Sequence, residues 1–128
     1  METRVRPVRR RDALSLAALR LQQGREHGHP ARPGFLDAHA DALLAEWDRH
    51  VGWIAEDQDG RAVGCALARR VLDLPSLAAP DRGERWLLEG LFVVADRRDE
   101  GWADRLLQAM EDAARQDAIR LVVDDEGG

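Results

Sequence analysis

The stretch Trp86–Val94, WLLEGLFVV, is apolar at nearly every position and stands just ahead of a segment with helical periodicity. A run of that length without polar alternation suits a strand buried on both faces of a sheet. Beyond it, Ala103, Leu106, Leu107, Met110 and Ala114 recur at helical spacing. Ile119–Val123, IRLVV, is another apolar run. Strand, helix and strand in so short a span make a βαβ unit, with parallel strands and a right-handed crossover. An all-helical chain and a purely antiparallel one are excluded together.

The remaining elements are shorter. Arg4–Val8 alternates and reads as a strand. Asp12 is placed to N-cap a helix carrying Leu14, Ala17, Ala18 and Leu21, which Gly24 should end. Gln23–Gly34 is a loop dense in Gly and Pro. Leu36, Ala40, Leu43, Leu44 and Trp47 mark a second amphipathic helix. Gly52–Glu56 and Arg61–Val71 flank the turn Asp57-Gln58-Asp59-Gly60, a hairpin signal. Asp73–Arg85 holds two prolines and reads as a loop. The order is β-α-α-β-β-β-α-β, an α/β fold with a mixed sheet and helices on both faces.

The chain has 128 residues, 45% of them hydrophobic, as one domain spanning 1–128 requires. No apolar run approaches the ~20 residues of a membrane span. The basic N-terminus lacks the apolar stretch of a signal peptide, so a cytoplasmic location is expected. Cys65 is the only cysteine, which rules out an intrachain disulfide. The net charge of -5 disfavours nucleic acid as a partner. The cluster Arg4, Arg6, Arg9, Arg10 and Arg11 is better read as flanking a strand and capping the turn after it. Every basic residue is Arg, and Lys, Asn and Tyr are absent, as in a GC-rich genome. A missing Tyr therefore need not mean missing chemistry.

The turn between strand and helix, RRDEGWADRLL, has the form of an anion site. A helix start exposes unpaired N–H groups and partial positive charge. Gly101 and Ala103 let a ligand approach the backbone, which suits a pyrophosphate. The same glycine would also serve tight helix–strand packing alone. Leu87–Leu107, LLEGLFVVADRRDEGWADRLL, resembles the fourth strand and third helix of polyamine-type members of the GNAT superfamily of acyl-CoA-dependent N-acetyltransferases. These read roughly L-E-D-L-F-V followed by R-G-x-G-x-G. The family fingerprint Q/R-x-x-G-x-G/A is met by Arg98, Gly101 and Ala103. The element order is similar from the first strand to the fifth. The usual C-terminal helix and strands do not follow in this sequence.

The resemblance implies acetyl-CoA as co-substrate, no metal, and a primary amine of a small molecule or peptide as acceptor. It implies that the pantetheine arm pairs with Leu91, Phe92 and Val93. The pyrophosphate would lie over Arg98, Asp99, Glu100, Gly101, Trp102, Ala103 and Asp104. Asp99 and Glu100 depart from the family pattern. Asp99 can serve as N-cap and Glu100 can complement the helix dipole. Each would oppose a pyrophosphate by about 1 kcal/mol. A loop of retained shape and weakened binding is expected.

Glu89 reads two ways. It matches the family's catalytic base, and it equally suits a structural pair with an Arg such as Arg69. Many relatives protonate the leaving thiolate with a Tyr, for which Cys65 and the four His are the possible substitutes. His27 and His29 form a His-x-His pair without supporting ligands, a solvated loop and not a metal site. With Glu26 they lie where the family's acceptor pocket is covered. Trp47 fits a helix core face, Trp53 and Trp86 fit strands, and Trp102 takes a variable position in the fingerprint. Ile119–Val123 would be a sheet edge, guarded by Asp124, Asp125 and Glu126, so a homodimer or partner covering it is expected. The rival reading is a catalytically impaired module acting through a protein partner. The acceptor itself stays open among polyamine, amino acid, protein N-terminus and antibiotic amine.

Overall fold

The computed structural model describes residues 4–78 and 83–123. They form one five-stranded sheet whose spatial order follows the chain, β1-β2-β3-β4-β5. The strands are β1 Arg4–Pro7, β2 His50–Glu56, β3 Ala62–Leu72, β4 Glu84–Val93 and β5 Arg120–Val122. β1 to β4 pair antiparallel, and β5 joins β4 in parallel. The helices are α1 Ala13–Glu26, α2 Phe35–Ala45 and α3 Trp102–Gln116. The βαβ unit and the mixed sheet stand as expected. The acidic tail lies outside the described residues.

Alternation along β2 divides the core between two faces. Trp53 and Ala55 pack in one cluster with Leu106 and Met110 of α3. Ile54, between them, packs with Leu16 of α1 and Leu43 of α2. Helices therefore cover both faces, as side-chain period two demands. In α3 the buried residues Trp102, Leu106, Met110 and Ala114 recur every fourth position. In α1 the buried face is Ala13, Leu16, Ala17 and Leu19, whereas Leu14 is exposed. The sequence stripe was thus rotated about the helix axis. Leu36 is also exposed, and Trp47 falls in a 3-10 turn after α2.

Gly24 does not end α1. The helix runs on to Glu26, and Gly28 takes the left-handed conformation with φ 86°. The His29 N–H bonds to the Gly24 carbonyl and the Gly28 N–H to that of Arg25. That double closure is a Schellman motif. α3 ends the same way with Ala118 at φ 55°, where its Ile119 N–H reaches the Ala114 carbonyl. An alanine there carries the Cβ crowding that glycine escapes.

Asp12 also departs from expectation. Its carboxylate caps no N–H of α1. It accepts both terminal nitrogens of Arg6, at 2.8 and 2.9 Å, and the Arg9 N–H at 2.7 Å. Arg6 also binds Glu56 at 3.0 Å, as does Arg4 at 2.8 Å. The Arg cluster thus ties β1 to β2 and to the start of α1. Hydrogen bonds from Arg6 hold the Asp12 and Glu56 carboxyls below their usual range, against the opposing pull of burial.

Two outcomes follow for stability. Ala118→Gly should relieve the left-handed strain and stabilise the fold by about 1 kcal/mol, read as a rise in Tm of about 4 °C. Asp12 and Glu56 have lowered folded-state pKa values, so the unfolded chain binds more protons than the folded one in acid. Their stabilisation is complete above about pH 5 and is lost as pH falls through the lowered values. Arg6→Met should cost about 3 kcal/mol at neutral pH by leaving Asp12 unpaired. Urea titrations at pH 7 and pH 4 should show the variant losing less on acidification than the parent.

Candidate active site

β4 is paired on its two sides to different lengths. Towards β3 the register runs from Glu84 to Val93. Towards β5 it covers only Arg85, Trp86 and Leu87, opposite Arg120, Leu121 and Val122. From Leu88 onward the β5 side of β4 has no strand beside it among the described residues. WLLEGLFVV is covered on both faces towards its C-terminal end, where the consecutive Phe92, Val93 and Val94 are all buried. Trp86, Phe92, Val93 and Val94 are buried, while Leu87, Leu88 and Leu91 are partly open.

Glu89 lies at a break in register. Leu67 opposes Gly90 and Ala68 opposes Leu88, so Glu89 is the extra residue of a β-bulge. Its side chain is 32% exposed and sits 3.0 Å from Arg69 Nη2 and 3.3 Å from His50 Nε2. The ion pair with Arg69 is present as one of the two sequence readings required. His50 is a neighbour that sequence reasoning missed. Its Nδ1 lies 3.1 Å from the Glu46 carbonyl oxygen, which leaves Nε2 facing the carboxylate.

The loop after β4 is a 3-10 turn, Ala95–Glu100, closed by Gly101 at φ 83°. α3 then begins with Gly101 as its N-cap and no side chain capping it. Asp99 is not the cap, because the turn carries the chain one residue past Asp99 and Glu100 before the helix starts. Glu100 folds back over its own turn with its side chain still 47% exposed. It accepts the Trp102 indole N–H at 3.0 Å and lies 3.4 Å from Arg97. Arg97 in turn pairs at 3.0 Å with Asp57, whose side chain is buried in the β2–β3 turn. The N–H groups at the start of α3 stay clear of the protein's own carboxylates.

Arg98 has three contacts. Its Nε donates to the Val93 carbonyl at 3.0 Å, its Nη2 pairs with Glu26 at the end of α1, and its guanidinium lies over the Phe92 ring. Arg98 lines one cleft with Leu91, Phe92, Val93, Ala103, Gln23, Glu26 and His27. Asp99, Glu100, Gly101, Trp102 and Asp104 do not line it. The Trp102 ring is buried in the core, with the Arg105 guanidinium 4.6 Å from it.

A second cleft of about 210 Å³ opens between α1, α2 and the bulge, lined by Glu89, His50, Arg69, Cys65, Arg20 and His39 among others. An adjoining cleft continues under the loop after α1, past His27 and His29. Burial pushes the Cys65 thiol up to about 11, only partly opposed by Arg20. Burial, with Arg20 and His50 nearby, draws the His39 imidazole below its usual range. Among the described residues no group of three or more His, Cys, Asp or Glu is arranged to hold a metal ion. No helix there is long and apolar enough to cross a membrane.

The family model for the acetyltransferase (GNAT) family matches residues 19–126. The chain belongs to this family. Solved structures of the GNAT fold superpose on nearly its whole length. A predicted acetyltransferase with acetyl-CoA from Clostridium acetobutylicum has a TM-score of 0.76 at 16% identity, over 95% of this chain and 80% of that one. A GCN5-related N-acetyltransferase from Ralstonia eutropha JMP134 gives 0.76 at 21% identity, over 95% and 82%. A ribosomal-protein-alanine N-acetyltransferase from Brucella melitensis biovar Abortus 2308 gives 0.72 at 23% identity, over 95% and 79%. No curated protein matches the chain. At these identities the likeness is one of fold.

Proposed function

We propose that this GNAT chain is an N-acetyltransferase that moves the acetyl group of acetyl-CoA to a primary amine of a small molecule or peptide. The observation that carries the reading is the open edge of β4, which ends at the uncapped start of α3. Unpaired strand groups suit the amides of a pantetheine arm, and the free helix start suits a pyrophosphate. Leu91, Phe92 and Val93 would take the arm. Arg98 and the N–H groups from Gly101 to Asp104 would take the phosphates. Arg97, 3.4 Å from Glu100, offsets one of the two opposing acids in part, and Asp99 is the other. Arg98 is already engaged by Glu26, and a phosphate must compete with that carboxylate.

Glu89 is the proposed base. It faces the acceptor cleft from the bulge, beside the strand that would hold the thioester. The ammonium form of the acceptor gives up a proton to Glu89, directly or through water. The neutral amine then attacks the thioester carbonyl carbon, and the tetrahedral adduct expels coenzyme A as thiolate. That thiolate takes a proton, leaving amide and free thiol. His50, at 3.3 Å, is placed to pass the proton from Glu89 onward. Cys65, whose thiol burial keeps protonated, lines the same cleft as His39 and His50, and these three are the candidate donors to the thiolate.

Two measurements test this. Acetyl-CoA at ~100 times its dissociation constant should add about 2.7 kcal/mol of stability, a rise of several degrees in a thermal melt. Glu26→Gln should release Arg98 and tighten acetyl-CoA by up to about tenfold. No shift in folded protein, parent or variant, would replace this reading with that of a binding module acting through a protein partner. Glu89→Gln should keep the acetyl-CoA shift and lower kcat by roughly 100-fold or more. Unchanged turnover in that variant would reduce Glu89 to a structural partner of Arg69.

A further inference from the structure

The charge of this protein is not evenly spread. The chain is acidic overall, yet the two adjoining clefts between α1, α2 and the bulge are lined by Arg20, Arg25, Arg32 and Arg69 against only Glu46 and Glu89. All four histidines of the chain also face these clefts. A polycationic acceptor would meet more like charge than opposite charge there, although β4 and α3 resemble those of polyamine-type enzymes.

Two of these side chains lack the partners that such groups normally have. Arg20 donates to Gln23 Oε1 at 3.2 Å and makes no ion pair among the described residues. Its Nη1 lies so close over β4 that a Cβ on Gly90 would stand 2.9 Å from it. The guanidinium is thus held over the residue next to the proposed base. His39 faces the same two clefts, and its Nδ1 is a buried nitrogen with no hydrogen-bond partner. A buried polar atom left unpaired in the free protein is commonly satisfied by what binds there.

We infer that the acceptor carries, besides its amine, a carboxylate or phosphate a few bonds away, which Arg20 and His39 hold while the amine faces Glu89. The amine half of this rests on the acetyl-transfer reading; the anion half stands on the cleft alone. Gly90 and Glu89 are adjacent, so the two recognised groups must belong to a short molecule or to the end of a longer one. A guanidinium with no carboxylate of its own gives a charge-assisted bond to such an anion. Gly90 has its own part, since any larger residue would displace the Arg20 guanidinium.

The test uses matched amines that differ by one anionic group: tyrosine with tyramine, and O-phosphoethanolamine with ethanolamine, with spermidine as the polycation. Thiol release at saturating acetyl-CoA and ligand-observed NMR binding without acetyl-CoA are both read. The anionic member of at least one pair should be preferred by about tenfold or more, and Arg20→Gln should collapse that ratio. Preference for tyrosine marks a carboxylate site, and preference for phosphoethanolamine a phosphate site. Preference for spermidine, a ratio unmoved by Arg20→Gln, or no binding of either anionic probe at millimolar concentration would overturn the inference. If acetyl-CoA itself fails to bind, the NMR arm still decides the anion site, so the two failures are distinguishable.

Discussion

The rest of this structure depends on β4 being paired with β3 along its length except at the Glu89 bulge, and with β5 over only three residues among those described. Backbone N–H and C=O groups seek partners, and a sheet normally supplies them from both neighbours. β3 does so from Glu84 to Val93 apart from the bulge at Glu89, which fixes the strand on that side. β5 does so for three residues, and from Leu88 onward no strand lies beside β4 on that side among the described residues. The unpaired stretch is therefore held still by one neighbour and left open by the other. A rigid edge of that kind is what an extended ligand can join as an added strand.

The bulge and the loop extend the same logic in opposite directions along the strand. At Glu89 the extra residue turns a carboxylate towards the α1–α2 side, where Arg69 and His50 meet it. Beyond Val93 the chain turns through one 3-10 segment and delivers the start of α3. The proposed acceptor and cofactor sides are thus two ends of one short strand segment. Their separation is set by covalent geometry and not by flexible side chains.

Much of the architecture was legible because it rests on local periodicity. The apolar run of β4, the hairpin turn at Asp57–Gly60 and the four-residue stripe of α3 are each consequences of neighbours in sequence. The readings that failed rest on contacts distant in sequence. Asp12 was open to being a cap until Arg6 claimed its carboxylate. Asp99 and Glu100 read as ligands of a helix start, yet one extra step of 3-10 chain moved that start to Gly101. His50 and Arg20 carry no motif, and only the fold brings them to Glu89 and Gly90. The bulge itself leaves no trace in a strand pattern, since an inserted residue amid apolar neighbours looks like continuous strand.

The buried Asp57 has a consequence for how this loop may be altered. One of its oxygens accepts the N–H groups of Asp59 and Arg61 and so closes the hairpin turn. The other takes Arg97 from the loop before α3. The hairpin tip and the loop before α3 are consequently tied to one buried carboxylate, though 40 residues separate the two partners. A loop grafted from a relative without its own counterpart of Asp57 would strand a buried carboxylate, and the damage would surface in the hairpin as well as in the graft.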